Sequence, residues 1–251
     1  MATWTNRVLH KLQQLRDADP DCRLYGARDH YYCLGPQLTP AWLEWLEEHY
    51  QVRLPGDYRE FLMEVGNGGA GPCAGLQRFG YLQRPEDVPV SYGTGILHRT
   101  ATRSGALIET EERYTPAGSA ADPFAELYYA AMVGCAGENY VLLARPFPFT
   151  EPILFPESGI DPRCEELYHQ ERTGEWMLAD CGCGINHSLV VAGQNAGTVW
   201  VSDTANAVGV YPFPGWGKGA EDSQGASISF AAWYEGWLDH ALDEAGRLGI
   251  A

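Results

Sequence analysis

The order of the hydrophobic patterns along the chain predicts an α+β fold with an antiparallel sheet. Helical periodicity dominates up to about residue 65, short β-type runs follow from about residue 76, and one more helical stretch closes the chain. Helices that precede and follow a block of strands, instead of alternating with them, are typical of α+β proteins. The 251 residues are 45% hydrophobic, so the chain can bury a large core without cross-links.

Two helices are predicted within the first 50 residues. The first has apolar side chains at helical spacing, namely Trp4, Val8, Leu12 and Leu15. The second begins at Thr39, which can cap the N-terminus, with Pro40 at the first helical position. Its apolar face contains Trp42, Leu43, Trp45 and Leu46.

A third helix is predicted after the LPG sequence at 54–56. Asp57 can accept hydrogen bonds from the first backbone N–H groups, and Glu60 follows at capping-box spacing. The buried stripe of this helix is Tyr58, Phe61, Leu62 and Val65. Gly66 is expected to end the helix in the left-handed conformation that favours glycine.

The predicted strands are short runs rich in β-branched and aromatic residues. They are GLQRFGYL, ENYVLLA, HSLVVAG, GTVWVSD and VGVYP, which start at positions 75, 138, 187, 197 and 208. The sequence GQNAG is expected to join two of them as a hairpin loop, and the polar segment 98–126 is expected to be a long loop or insertion. A last helix begins near Ser227 or Ser229. Its core face contains Phe230, Trp233, Trp237, Leu238, Ala241 and Leu242.

The net charge of −16 is concentrated in the C-terminal part of the chain. Residues 1–150 carry 13 basic and 18 acidic side chains (13 − 18 = −5), and residues 151–251 carry 4 and 15 (4 − 15 = −11). Such a field repels nucleic-acid phosphates, so we expect no direct nucleic-acid binding. It attracts a basic partner instead. A solvated acidic surface that keeps the protein soluble explains the same charge.

The length of the apolar runs and the cysteine count bear on the compartment. No stretch of eighteen apolar residues is present, and the N-terminus does not resemble a signal peptide. Seven Cys is an odd number, which together with these features favours a reducing cytoplasm and free thiols. We therefore expect a cytoplasmic protein without a membrane segment.

The glycine-rich stretch VGNGGAGPCAG at 65–75 is interpreted as a turn between a helix and a strand. A phosphate-binding loop needs a strand before the glycines and a helix after them. Here a helix precedes the glycines, Pro72 lacks a backbone N–H donor, and no GK[ST] sequence follows. The order of the elements therefore argues against a nucleotide site.

The sequence ADCGCGINH brings together Cys181, Cys183 and His187, which are possible zinc ligands or a Cys–His catalytic pair. The C-x-C spacing is tighter than in the usual zinc sites, and a fourth ligand would have to come from Cys164 or His169. We prefer to interpret these cysteines as small buried residues at the start of a strand. We expect no metal and no cofactor.

Four segments of the chain, in this order, resemble the SMI1/KNR4 family, also called the SUKH superfamily. They are LPGDYREFLMEVGNGGAGP, ARPFPFTEPIL, LADCGCGINHSLVVAGQNAGTVWVSD and SFAAWYEGWLDHAL. The resemblance covers about 50–242 and leaves out an N-terminal helical extension at 1–38 and the insertion at 98–126. At Ile153 relatives often carry Trp, a difference that we attribute to packing.

The resemblance implies one SMI1/KNR4-like domain over 1–251, with a mixed, mainly antiparallel sheet flanked by N-terminal helices and a C-terminal helix. It also implies a non-enzymatic role. Bacterial relatives are chiefly immunity proteins that bind and neutralise a cognate toxin of a polymorphic toxin system, often a nuclease. Eukaryotic relatives act as interaction proteins in cell-wall regulation. The family supplies no uniform set of catalytic residues.

We therefore expect an immunity-type binding protein whose partner is a cognate toxin with a basic surface. One candidate contact set lies in the hairpin region and consists of Asp180, Asn186, Trp200, Asp203 and Asn206. The other is the acidic set Glu165, Glu166, Glu171 and Glu175. Without a partner, the hairpin set is explained as turn residues and the acidic set as a solvated helix face. The alternatives are a regulatory scaffold without a toxin and a thiol- or metal-dependent enzyme that uses Cys181, Cys183 and His187.

Overall fold

The computed structural model describes residues 3–79, 95–101, 107–113, 141–155, 167 and 173–250. Its helices are α1 (Trp4–Ala18), α2 (Ala27–His30), α3 (Pro40–Tyr50), α4 (Gly56–Glu64), α5 (Val141–Ala144) and α6 (Phe230–Leu248), with a 3₁₀ turn at Ala220–Ser223. Its strands are β1 (Gly95–Ala101), β2 (Leu107–Arg113), β3 (Ile153–Leu154), β4 (Glu175–Asp180), β5 (Asn186–Val190), β6 (Val199–Asp203) and β7 (Gly209–Pro212). The predicted α+β class, with N-terminal helices and a C-terminal helix, is confirmed.

The main sheet has five strands in the order β3-β7-β6-β5-β4, and every neighbouring pair is antiparallel. β5, β6 and β7 are joined by short connections, and GQNAG lies between β5 and β6 as expected. β1 and β2 form a separate antiparallel pair. The described part of 98–126 therefore contains strand residues where a loop was expected.

Two of the predicted strands are absent from the part of their sequence that the structure describes. Val141–Ala144 is a short helix. Residues 75–79 form no strand, although Gln77 N–H donates to the carbonyl of Leu178 in β4 at 2.7 Å. This segment lies along the outer edge of β4 and makes an isolated bridge at Leu76.

The core is an aromatic cluster centred on the first turns of α6. Phe230, Trp233 and Tyr234 are completely buried. The Phe230 ring lies 4.6 Å from the Tyr58 ring and 5.0 Å from the Phe61 ring, both in α4. α1 packs beside α6, where Arg7 and Lys11 form ion pairs with Glu235. The four predicted amphipathic helices α1, α3, α4 and α6 thus share one core.

The predicted capping of α4 is only partly right. The residue before the helix is Pro55, which has no side-chain cap, but Asp57 Oδ1 accepts a 2.9 Å hydrogen bond from the Tyr58 N–H in the first turn. Asp57 Oδ2 accepts a 2.9 Å hydrogen bond from the Ala231 N–H in the first turn of α6. Glu60 accepts from Trp4 Nε1 in α1 at 2.6 Å. These carboxylates tie α4 to its neighbouring helices.

The glycine stretch is a tight turn that packs backbone against backbone, and it follows a helix as predicted. Gly66 does not adopt the positive φ that was expected; that conformation is found at Gly68 and Gly69. A Cβ at Gly69 would lie 2.3 Å from the Cys33 carbonyl oxygen, and one at Gly35 would lie 1.9 Å from the Asn67 carbonyl oxygen. Glycine is required here because no side chain fits between the two segments.

Candidate functional site

Four of the five hairpin residues singled out from the sequence lie at one end of the main sheet. β4 ends at Asp180, β5 begins at Asn186, and β6 ends at Asp203. Asp180 and Asn186 are register partners, and Asn206 follows in the turn between β6 and β7. Because adjacent strands are antiparallel, their connecting loops meet at this end of the sheet.

The two loops at this end are hydrogen-bonded to each other. Asn206 Nδ2 donates to Asp203 Oδ1 at 2.7 Å and to the Cys183 carbonyl oxygen at 3.0 Å. In the other loop, Gly182 N–H donates to Asp180 Oδ1 at 2.8 Å. Asp180, Asp203 and Asn206 thus hold the backbone of both loops in one arrangement.

Tyr25 is a surface residue at this site that sequence reasoning missed. Its side chain is 75% exposed, and its hydroxyl donates to the Cys181 carbonyl oxygen at 3.0 Å. It lies in the connection between α1 and α2, where no periodic pattern or motif distinguishes it. Only the folded chain places this ring beside the β4–β5 loop. We call Tyr25, Cys181, Cys183 and Asn206 the sheet-end surface.

A disulfide bond anchors the sheet-end surface to the glycine turn. Cys73 and Cys181 are bonded, with their Cα atoms 4.6 Å apart and a separation of 108 positions in sequence. The expectation of free thiols is therefore wrong for these two cysteines. It holds for Cys22, Cys33 and Cys183, while Cys135 and Cys164 lie outside the described residues.

Trp200 and Asp203 are buried and are not part of the sheet-end surface. The Trp200 side chain is 2% exposed, its ring lies 5.0 Å from that of Phe147, and its Nε1 donates to Thr198 Oγ1. Asp203 is 7% exposed and is paired with Asn206. A partner can touch Asp180, Asn186 and Asn206, which are partly or fully exposed, more readily than these two.

The carboxylates give this end of the sheet a negative potential. Burial, and then the charges of Asp203 and Glu221, raise the pKa of Tyr211 to about 12. A phenol with this pKa stays neutral at physiological pH, and it adds no negative charge of its own. Part of the shift comes from the charges of Asp203 and Glu221, so negative charge lies near Tyr211.

The second predicted contact set falls mostly on residues of which nothing is described. Glu165, Glu166 and Glu171 lie outside the described residues. Glu175 is the first residue of β4 and is half-buried, opposite Val190 of β5. Glu175 and Asp180 thus occupy the two ends of β4, so the two predicted sets do not share one surface at that strand.

Cys181 and His187 do not form the metal or catalytic arrangement that was considered. The Cys181 sulfur is bonded to Cys73, so it offers no thiolate. His187 is buried among aromatic rings, and its Nδ1 accepts a 3.2 Å hydrogen bond from Trp233 Nε1. Burial lowers the pKa of His187 to about 4, which keeps the imidazole neutral.

Among the residues that the structure describes, no group of three or more His, Cys, Asp and Glu is placed to hold a metal ion. Within the same ranges, no helix has both the length and the apolar character needed to cross a membrane. Comparisons of the chain with protein-family models, with curated proteins and with solved structures give no match.

Proposed function

We propose that the chain is a non-enzymatic protein-binding module of the immunity type, which neutralises a cognate toxin by stoichiometric binding. The observation that carries the proposal is the sheet-end surface. There the exposed Tyr25 ring is hydrogen-bonded to a loop that a disulfide and Asn206 also hold. A tyrosine fixed in this way offers a large contact area at a low entropic cost, as binding hot spots do.

The charge distribution supports a basic partner. Asp180 and Asp203 lie in or beneath this surface, and the C-terminal part of the chain carries the larger share of the −16 net charge. A nuclease toxin presents a basic surface to its substrate, and electrostatic complementarity would accelerate its encounter with this chain. The resemblance of four segments to the SMI1/KNR4 family points to the same class of partner.

The test uses the toxin domain encoded by a neighbouring gene, if one is present, purified and mixed with this chain. We expect a 1:1 complex in size-exclusion chromatography with light scattering, together with loss of toxin activity. Association should slow as salt rises, because long-range attraction is screened beyond about 8 Å at physiological ionic strength. A complex that forms without loss of toxin activity would contradict neutralisation and favour the regulatory scaffold.

Matched variants locate the interface. Tyr25→Ala and Asn206→Ala should each weaken the complex, with Tyr25→Ala costing about 2 kcal/mol, which is about thirtyfold in affinity. Gln194→Ala is the control, because Gln194 is an exposed polar residue in the β5–β6 loop at the opposite end of the sheet. Equal affinities for all three variants would place the contact elsewhere.

A further inference from the structure

Three cysteines meet at the sheet-end surface, and one of them keeps an exposed free thiol. Cys183 is two residues beyond Cys181, which is bonded to Cys73. We propose that these residues form a thiol–disulfide exchange site, in which Cys183 opens the Cys73–Cys181 bond and takes Cys181 as its own partner. The protein would then exist as two disulfide isomers.

The β4–β5 loop has a backbone geometry that suits this exchange. Gly182, Cys183 and Gly184 are all in the left-handed region, with φ values of 78°, 51° and 76°. Cys181 N–H donates to the Ile185 carbonyl oxygen at 2.8 Å, which closes the loop. Two residues span at most about 7 Å when extended. Disulfide bonds require about 4.4–6.8 Å between Cα atoms, a range that two residues in a turn can reach.

The exchange needs no external oxidant or reductant. The Cys183 thiol loses its proton, and the thiolate attacks the Cys181 sulfur. The bond between the sulfurs of Cys181 and Cys183 forms as the bond between Cys73 and Cys181 breaks. Cys73 leaves as a thiolate and takes up a proton. One disulfide and one thiol are present before and after the step, so the oxidation state of the protein is unchanged.

The contacts around Cys73 let the turn stay in place after the bond has moved. Ala74 N–H donates to the Asp180 carbonyl oxygen at 3.3 Å, and Gln77 N–H donates to that of Leu178 at 2.7 Å. These hydrogen bonds hold the glycine turn on the edge of β4 without the covalent link. The released Cys73 thiol therefore remains near Cys181, and the exchange is reversible. What changes is the covalent anchor of the surface that contains Tyr25.

Another described thiol is a poorer candidate for the attacking group. Cys22 is buried, and burial followed by the nearby Asp19 raises the pKa of its thiol. A thiol that stays protonated is a weak nucleophile. Cys183 is exposed at the loop that carries the disulfide, so the geometry favours it.

Peptide mapping distinguishes the isomers, because trypsin places Cys73 in peptide 60–78 and both Cys181 and Cys183 in peptide 173–218. The folded protein is held at pH 8 without reductant, quenched in acid, alkylated with a maleimide and digested. We expect a fraction with alkylated Cys73 and with peptide 173–218 lighter by about 2 Da, the mass of two hydrogens lost to an internal disulfide.

Cys183→Ser should reduce the alkylated Cys73 fraction by about tenfold or more, and the control Cys33→Ser should not, because thiol exchange requires the attacking sulfur. In Cys73→Ser, mild oxidation with oxidised glutathione should give the internal Cys181–Cys183 disulfide. The proposal is overturned if Cys73 is equally free in the wild type and in Cys183→Ser, or if Cys73→Ser forms no internal disulfide. A wild-type protein without the Cys73–Cys181 link at the start would overturn it as well.

Discussion

At the scale of a single residue, the protonation of His187 makes the stability of the fold depend on pH. Its pKa is about 4 in the folded protein against 6.5 for an ordinary histidine, because burial penalises the charged form. The unfolded chain therefore binds a proton below pH 6.5, while the folded protein does not bind one until about pH 4. Stability contributed by neutral His187 is complete above pH 6.5 and is lost as the pH falls towards 4.

We expect the free energy of unfolding to decrease by about 2 kcal/mol per buried histidine between pH 7 and pH 5, as an order of magnitude. His30 contributes in the same direction, since burial also lowers its pKa to about 4. His187→Asn should remove the part of this decrease that comes from His187. An amide oxygen can still accept the hydrogen bond from Trp233 Nε1, but it does not titrate in this range. Urea unfolding at the two pH values measures the difference.

His10→Asn is the matched control, since it makes the same substitution at an exposed position of α1. An equal loss in His187→Asn and the wild type would show that protonation of this side chain does not govern acid stability.

Individual residues also show where sequence reasoning ends. Asp19 belongs to a DADPD turn that looks solvated, yet its carboxylate is completely buried. It accepts hydrogen bonds from the backbone of Arg23 and Leu24 and from the Tyr32 hydroxyl. Trp200 was predicted at the surface and is buried. Burial of a single side chain depends on the distant segments that pack against it, and the local sequence does not specify those segments.

At the scale of elements, the long amphipathic helices were predictable, whereas short elements were predicted only in part. α1, α3 and α6 repeat their apolar residues over at least three turns. Thr39 caps α3 as expected, and Ser229, one of the two starts considered for the last helix, caps α6. Val141–Ala144 has only four apolar residues, too few to distinguish a helix from a strand by period. The hairpin β5–β6 was predicted because the glycine-rich GQNAG separates two β-branched runs. β4 was not predicted, because its sequence EWMLAD contains no β-branched residue.

The packing of the glycine turn against the α2–α3 connection leads to a prediction on a matched pair of glycines. Gly35→Ala should destabilise the protein by about 3 kcal/mol, because its Cβ would lie 1.9 Å from a backbone oxygen that cannot rotate away. Gly246→Ala in α6 meets no atom within 4 Å and should stabilise by up to about 1 kcal/mol through helix propensity.

Both variants make the same Gly→Ala substitution, so a comparison of their denaturant midpoints with that of the wild type tests this prediction. A Gly35→Ala protein as stable as the wild type would show that the two segments are not in the close contact described.

At the scale of the whole molecule, the covalent link between the helical part and the sheet was not predictable. The sequence has seven cysteines and no repeated spacing among them, so many pairings are possible. Cys73 and Cys181 are brought together only because the glycine turn reaches the end of β4. Such long-range pairings require the tertiary fold, whereas the class of the fold followed from local patterns.

The length of the chain segment that the disulfide closes predicts how much the disulfide stabilises the protein. A disulfide that closes a loop of about 100 residues limits the unfolded chain strongly, and native disulfides contribute about 2–4 kcal/mol. Reductant should therefore lower the free energy of unfolding of the wild type by that amount. It should also raise the urea m-value, because a reduced unfolded chain exposes more surface.

The double variant Cys73→Ser, Cys181→Ser should match the reduced wild type and should not respond to reductant, while Cys33→Ser should keep the full response. Because the disulfide closes a loop of about 100 residues, its effect should appear mainly in the unfolded state. A decrease in stability with an unchanged m-value would place the effect of the disulfide in the folded sheet-end surface instead. Identical unfolding of the wild type with and without reductant would contradict the link itself.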